Sequence, residues 1–191
     1  MDKYFLVALP EANSLKKLNE IREYLYFNGF RYSNDLPTSD VHITLAQTNL
    51  EDEDILSVKS DLKNFLKDQE SFSIEYDHVT NENRGSNEKY TEGYAWIALY
   101  INNESLKTLS KKLDGYLITK NISNTQDYID EVGGIADHLN LCNYGRLDSA
   151  DNAMRFIEAN APKSFEIKTI GLKKGKGGKV LWSIDLFERR G

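Results

Sequence analysis

The feature that most constrains this chain is an internal echo. Ser71-Phe72-Ser73-Ile74-Glu75 is answered by Ser164-Phe165-Glu166-Ile167-Lys168, and Trp96-Ile97-Ala98-Leu99 by Trp182-Ser183-Ile184-Asp185-Leu186. Each segment sits at the same place in a strand-helix-strand-strand order. Two long copies differing by a few residues describe a duplicated lobe rather than a short-period solenoid.

The elements of the copies read as follows. Tyr4-Phe5-Leu6-Val7-Ala8-Leu9 is a strand closed by Pro10. Leu15, Leu18, Ile21 and Leu25 recur at helical spacing over 14–27, with Gly29 placed as a C-terminal cap. Val41-His42-Ile43-Thr44-Leu45-Ala46 alternates with a period of two. Glu51, Asp52, Glu53 and Asp54 crowd the first turn of a second helix, where acids complement the helix dipole. Its buried side carries Ile55, Val58, Leu62, Phe65 and Leu66. Strands at 71–79 and 94–101 complete the first half. The second half brings a helix at 105–117 (Leu106, Leu109, Leu113, Leu117), a strand at 138–144, a helix near 149–160 stopped by Pro162, and strands near 163–172 and 179–188. The segment 115–137 has no counterpart in the first copy and reads either as a lid or as a surface insertion.

Charge narrows the partners. The formal net charge is −6, yet residues 163–191 carry eight Lys/Arg against three acids, which leaves a distinctly acidic body. Such a body does not suit long duplex nucleic acid, whose binding depends on neutralising phosphates. A small nucleotide or short oligonucleotide held by a few local groups is compatible with it. No apolar run reaches a membrane span and no signal layout opens the chain, so the expected location is cytoplasmic. A single cysteine excludes a disulfide framework or a Cys-rich zinc site.

The three histidines stand at 42, 78 and 138. On a pleat, Val41, Ile43 and Leu45 face one side, and His42, Thr44 and Ala46 face the other. In the second copy Leu139 and Leu141 face the core, which leaves His138, Asn140 and Cys142 on the open face. Each lobe thus offers an imidazole with a hydrogen-bonding side chain two residues later. Related by a pseudo-two-fold axis, the rings would face each other across a cleft, as in-line displacement at phosphorus requires. A neutral His takes a proton from the nucleophile and a protonated one gives a proton to the leaving oxygen. Thr44 and Asn140 could donate to the non-bridging oxygens as charge builds there. This chemistry calls for no metal and no cofactor, and no HxxH, HExxH or acid-rich cluster suggests a metal site. His78 lacks a partner in the other copy and reads as a surface residue at a strand end.

The pair His42-Ile43-Thr44-Leu45 and His138-Leu139-Asn140-Leu141 resembles the signature of the 2H phosphoesterase superfamily, two copies of His-x-(Thr/Ser) set between hydrophobic positions. The opening strand Tyr4–Pro10 is similar to that family's first strand. The resemblance implies an α+β, bilobal duplicated fold: one domain over 1–191, two antiparallel sheets around a central groove, helices outside. It also implies metal-independent cleavage of a phosphodiester, commonly a 2′,3′-cyclic phosphate or a 2′-5′ linkage. Asn140 departs from the pattern, because its planar amide is longer than a hydroxyl and aims differently. A nucleotide-binding protein without turnover is therefore the alternative.

Other residues join the expected site on weaker patterns. Tyr144 follows the second motif on the same face by alternation and could stack on a base. Lys174 and Lys176, in the Lys173–Lys179 run with its three glycines, form either a phosphate clamp at the cleft edge or a solvated hairpin loop. Trp96 and Trp182 are expected in the core at equivalent positions. Cys142 reads as a small filler. Asp137 is expected to point away from His138 by alternation.

Overall fold

Residues 4–10 of the first strand, β1 (Asp2–Pro10), are all buried. A strand covered on both faces shows no polar alternation, and that is why this run is continuously apolar. In the computed structural model, which describes residues 2–30, 40–81, 94–146, 150–175 and 178–188 (94–95 and 143–146 by backbone alone), β1 lies between two antiparallel neighbours. On one side is β2 (Ile43–Leu50) and on the other β7 (Ser164–Lys174). Both β3 (Phe72–Glu75) and β8 (Val180–Asp185) pair with β7 to complete five strands. A second antiparallel sheet has the order β4 (His78–Thr80), β5 (Tyr94–Tyr100), β6 (His138–Arg146).

Helices α1 (Ala12–Phe27), α2 (Ile55–Phe65), α3 (Glu104–Thr119) and α5 (Ala150–Asn160) lay apolar stripes against the sheets. Leu106, Leu109, Leu113 and Leu117 of α3 are at most 1% exposed, as their spacing predicts. Side chains cap two of these helices, with Glu11 accepting from Ser14 N and Asn103 from Leu106 N. The acidic run expected in the first turn of α2 instead forms a short 3₁₀ turn, Asp52–Asp54, ahead of it. One cluster of buried apolar residues draws members from both sheets, including Leu6, Ile43, Leu45, Ile97, Leu99 and Leu139.

Two readings of the sequence are corrected here. The strand expected at 71–79 is two short strands in different sheets, and the chain crosses between them at Tyr76-Asp77, where Asp77 N donates to Tyr100 O. The Trp96 and Trp182 strands are not equivalent either. The sheet orders β2-β1-β7 and β6-β5-β4 match β5 with β1, since each is a central strand leading through a helix to a histidine strand. Both rings are buried, as expected, Trp182 within the main core and Trp96 edge-on to His138 at 5.1 Å. Shared strand composition produced the false match.

Candidate active site

Strands β2 and β6 approach each other; β6 opens on His138, and β2 begins one residue after His42. Both motifs end in the same irregularity. Opposite β1, Thr44 pairs with Val7 and Ala46 with Leu6, leaving Leu45 as an extra residue. Opposite β5, Asn140 pairs with Ala98 and Cys142 with Ile97, leaving Leu141 extra. A bulge resets which face the following residue takes. Ala46 and Cys142, expected on the open face, are consequently fully buried members of the core. The side chain of Tyr144 lies outside the described residues.

His42 is half-buried, and both its ring nitrogens are engaged. Nδ1 lies 2.8 Å from Asp40 O. A carbonyl only accepts, so Nδ1 carries the proton and Nε2 presents a lone pair. Lys173 Nζ, 3.2 Å away, donates to that lone pair. Burial, together with the charges of Lys173 and Arg22, pushes the His42 pKa down to about 3, and His138 adds a smaller push in the same direction. The ring is neutral at pH 7. Asn19 of α1 fixes the carbonyl that sets this tautomer: its Oδ1 accepts from Val41 N at 3.1 Å and its Nδ2 donates to Asp40 Oδ1 at 2.9 Å. Arg22, one turn further along α1 and 4% exposed, donates to the same Asn19 Oδ1 at 3.4 Å.

His138 has a different partner. Its Nδ1 lies 2.7 Å from Asp137 Oδ1, and both side chains are largely buried. The expected outward direction of Asp137 fails because β6 begins only at His138, and the preceding bend obeys no alternation. Ala136 there has φ +56°, and its N–H donates to Thr44 O at 3.0 Å, joining the approach of one motif to the other. Gly134 makes room for the carboxylate, since a Cβ at that position would lie 2.4 Å from Asp137 Oδ2.

The 115–137 segment is neither a free lid nor a simple surface insertion. It contains α4 (Thr125–Val132), whose Tyr128 packs with Phe5, Val7 and Leu9 on the β1 face opposite the main core. Thr125 exchanges hydrogen bonds with the Gln47 backbone through its hydroxyl, and Thr48 Oγ1 donates to Ile122 O at 2.7 Å. The Tyr128 hydroxyl reaches Thr44 Oγ1 at 3.4 Å.

Lysine placement departs from expectation. Lys174 is held by Asp2 at 2.6 Å and Asp52 at 2.9 Å, while its neighbour Lys173, on the opposite face of β7, reaches His42. Lys176 lies outside the described residues. His78 is exposed, as expected, with its ring against Tyr100. Among the described residues no group of three or more His, Cys, Asp or Glu could hold a metal, and no helix is long and apolar enough to cross a membrane. Sequence reasoning missed Lys173, Arg22, Asn19, Asp137 and Tyr128. Only Lys173 carried a signal, as the first residue of the Lys173–Lys179 run.

Solved structures share this fold over nearly the whole chain. Escherichia coli LigT, in a complex with 3′-AMP, superposes with a TM-score of 0.53 at 13% identity, covering 97% of this chain and 98% of that one. TT0787 of Thermus thermophilus gives 0.59 at 14% identity, covering 98% and 100%. The chain has the LigT fold. A structure described as a phosphoesterase adds a TM-score of 0.50 at 12% identity over 97% and 99% of the two chains. No protein-family model matches the sequence, and no curated protein matches it. The LigT fold is the α+β architecture of two antiparallel sheets that the paired histidine motifs imply.

Proposed function

We propose that this chain is a phosphodiesterase that cleaves a small nucleotide or short oligonucleotide by two-histidine acid-base chemistry. Its substrate class is a 2′,3′-cyclic phosphate, a 2′-5′ linkage or a cyclic oligonucleotide. The observation that carries this reading is the unlike pairing of the two rings: His42 Nδ1 on a backbone carbonyl, His138 Nδ1 on a carboxylate. The carbonyl keeps His42 in the tautomer whose Nε2 can take a proton. The Asp137 carboxylate accepts from His138 Nδ1 and holds that ring, which serves as the proton donor of the pair. His42 is thus the base and His138 the acid. The LigT structures described as complexes with 3′-AMP, NADP+ and ATP support a small nucleotide as ligand.

With a cyclic phosphate, water attacks phosphorus and passes a proton to His42 Nε2. The bond from phosphorus to one ribose oxygen breaks, and that oxygen takes a proton from His138 Nε2. With a linear diester the neighbouring ribose hydroxyl replaces water and leaves a cyclic end. Thr44 and Asn140 donate to the non-bridging oxygens, and Tyr128, by donating to Thr44 Oγ1, leaves the threonine proton free to point at phosphate. Acid, base and oxyanion donors are all side chains, so turnover should persist in EDTA.

The test is turnover against a panel of cyclic phosphates, 2′-5′ oligonucleotides and cyclic dinucleotides with EDTA present. His42→Ala and His138→Ala should each lower kcat by at least ~10²-fold, with substrate affinity changed much less. Asn140→Thr should keep or raise activity if the amide merely substitutes for a hydroxyl. Nucleotide found bound and intact after prolonged incubation with the wild type would favour the binding protein instead.

A further inference from the structure

Two cations stand beside the base, and neither belongs to the paired motifs. Lys173 is 1% exposed and Arg22 is 4% exposed, one on β7 and the other on α1. Each acts electrostatically on His42, and Arg22 acts on Lys173 as well. Lys173 comes to the site because Lys173 pairs with Phe5 and Gly171 with Val7, which turns its side chain to the same face of the sheet as Phe5 and Val7. Its ammonium donates to His42 Nε2, the lone pair that proton abstraction needs. In this arrangement the base is occupied.

We propose that Lys173 and Arg22 form a seat for one anionic phosphate oxygen, and that filling the seat releases His42 to act as the base. This rests on the phosphodiesterase reading and adds a positioning device to it. An ammonium prefers an anionic oxygen to a neutral imidazole, because charge-assisted hydrogen bonds are roughly twice as strong as those to a neutral partner. A bound phosphate therefore draws Lys173 off Nε2 and offsets the two positive charges that disfavour protonation of the ring. The pKa of His42, pushed down to about 3 in the free protein, rises toward its ordinary value when the anion arrives. Lys173, itself brought down to about 8 by burial and by Arg22, keeps its proton in neutral solution and regains it more firmly on the anion. The ligand class follows from the charge: the seat takes an anionic phosphomonoester or diester and discriminates against a neutral phosphotriester.

Histidine-labelled full-length protein, titrated by NMR with and without inorganic phosphate, tests the seat without requiring turnover. In the wild type, phosphate should raise the His42 titration by about one unit or more. In Lys173→Met, a buried substitution of similar length, His42 should titrate higher in the free protein, and phosphate should bind about tenfold more weakly or worse. Lys173→Arg, which keeps the charge, should retain phosphate affinity to within a few-fold and carries the comparison if the methionine variant does not fold. A His42 titration unmoved by phosphate in the wild type overturns the proposal, as does unchanged phosphate affinity in folded Lys173→Met. Loss of turnover on every substrate with the phosphate response intact would instead remove the enzyme reading and leave the seat.

Discussion

Asp137 shows how one side chain separates two chemically identical rings. Its carboxylate, 2.7 Å from His138 Nδ1, gives that ring a charged partner where His42 has a backbone carbonyl. Replacing the charge while keeping a hydrogen-bond acceptor isolates this effect. Asp137→Asn should lower kcat by about 10²-fold, the low end of the span attributed to positioned acid catalysis. An unchanged kcat would remove Asp137 from the mechanism. At this scale the sequence was legible for His42, Thr44, His138 and Asn140, because a motif repeated in two strands is visible in one dimension. It was not legible for Asp137, since the direction of a side chain in a bend depends on φ values such as +56° at Ala136 that residue order does not display.

Among the elements, α4 is the one whose role the chain order concealed. It lacks a counterpart in the first copy, yet it is stitched to β2 over the face that bears the first motif. Thr125 is the principal stitch: 4% exposed, it accepts from Gln47 N at 3.2 Å and donates to Gln47 O at 3.3 Å. Thr125→Val preserves shape and takes from Gln47 N its hydroxyl partner, while Gln47 O keeps Asn124 N at 2.9 Å. The expected loss is about 1–3 kcal/mol, the usual cost of orphaning buried polar groups, read as a lowered urea midpoint. Tyr128 should lose its placement against Thr44 in the same variant, so activity should fall further than the folded fraction does. Equal losses of activity and folded fraction would show that α4 serves stability alone. The bulges at Leu45 and Leu141 belong to this scale too. α3 supports the first by donating from Ser110 Oγ to Leu45 O at 2.6 Å, a buried contact between residues far apart in the chain.

For the molecule as a whole, a neutral histidine near two buried cations links folding to pH. The unfolded His42 takes a proton near its ordinary value of 6.5, whereas the folded ring resists until about 3. Between those values the unfolded state binds more protons, so this group costs stability progressively as pH falls. Above 6.5 the cost vanishes. Urea midpoints measured from pH 7 down to 4 should decline more steeply for wild type than for His42→Gln, which carries no titrating ring. Parallel curves would mean that His42 is not held neutral by its surroundings.

Much was determined by residue order alone: most strand and helix periods, the two histidine motifs and the resemblance that fits the observed fold. These are local or repeated patterns, and a polar residue alternating with buried ones in a strand announces its face within a few positions. Which strands are equivalent, which lysine meets His42, and which acid meets His138 were decided by the tertiary structure. Sheet order brings β7 beside β1, paired bulges reset the faces of β2 and β6, and α1 carries Asn19 and Arg22 to a segment far along the chain. The electrostatics of the site arises from groups on separate elements, and their distances exist only once those elements are packed.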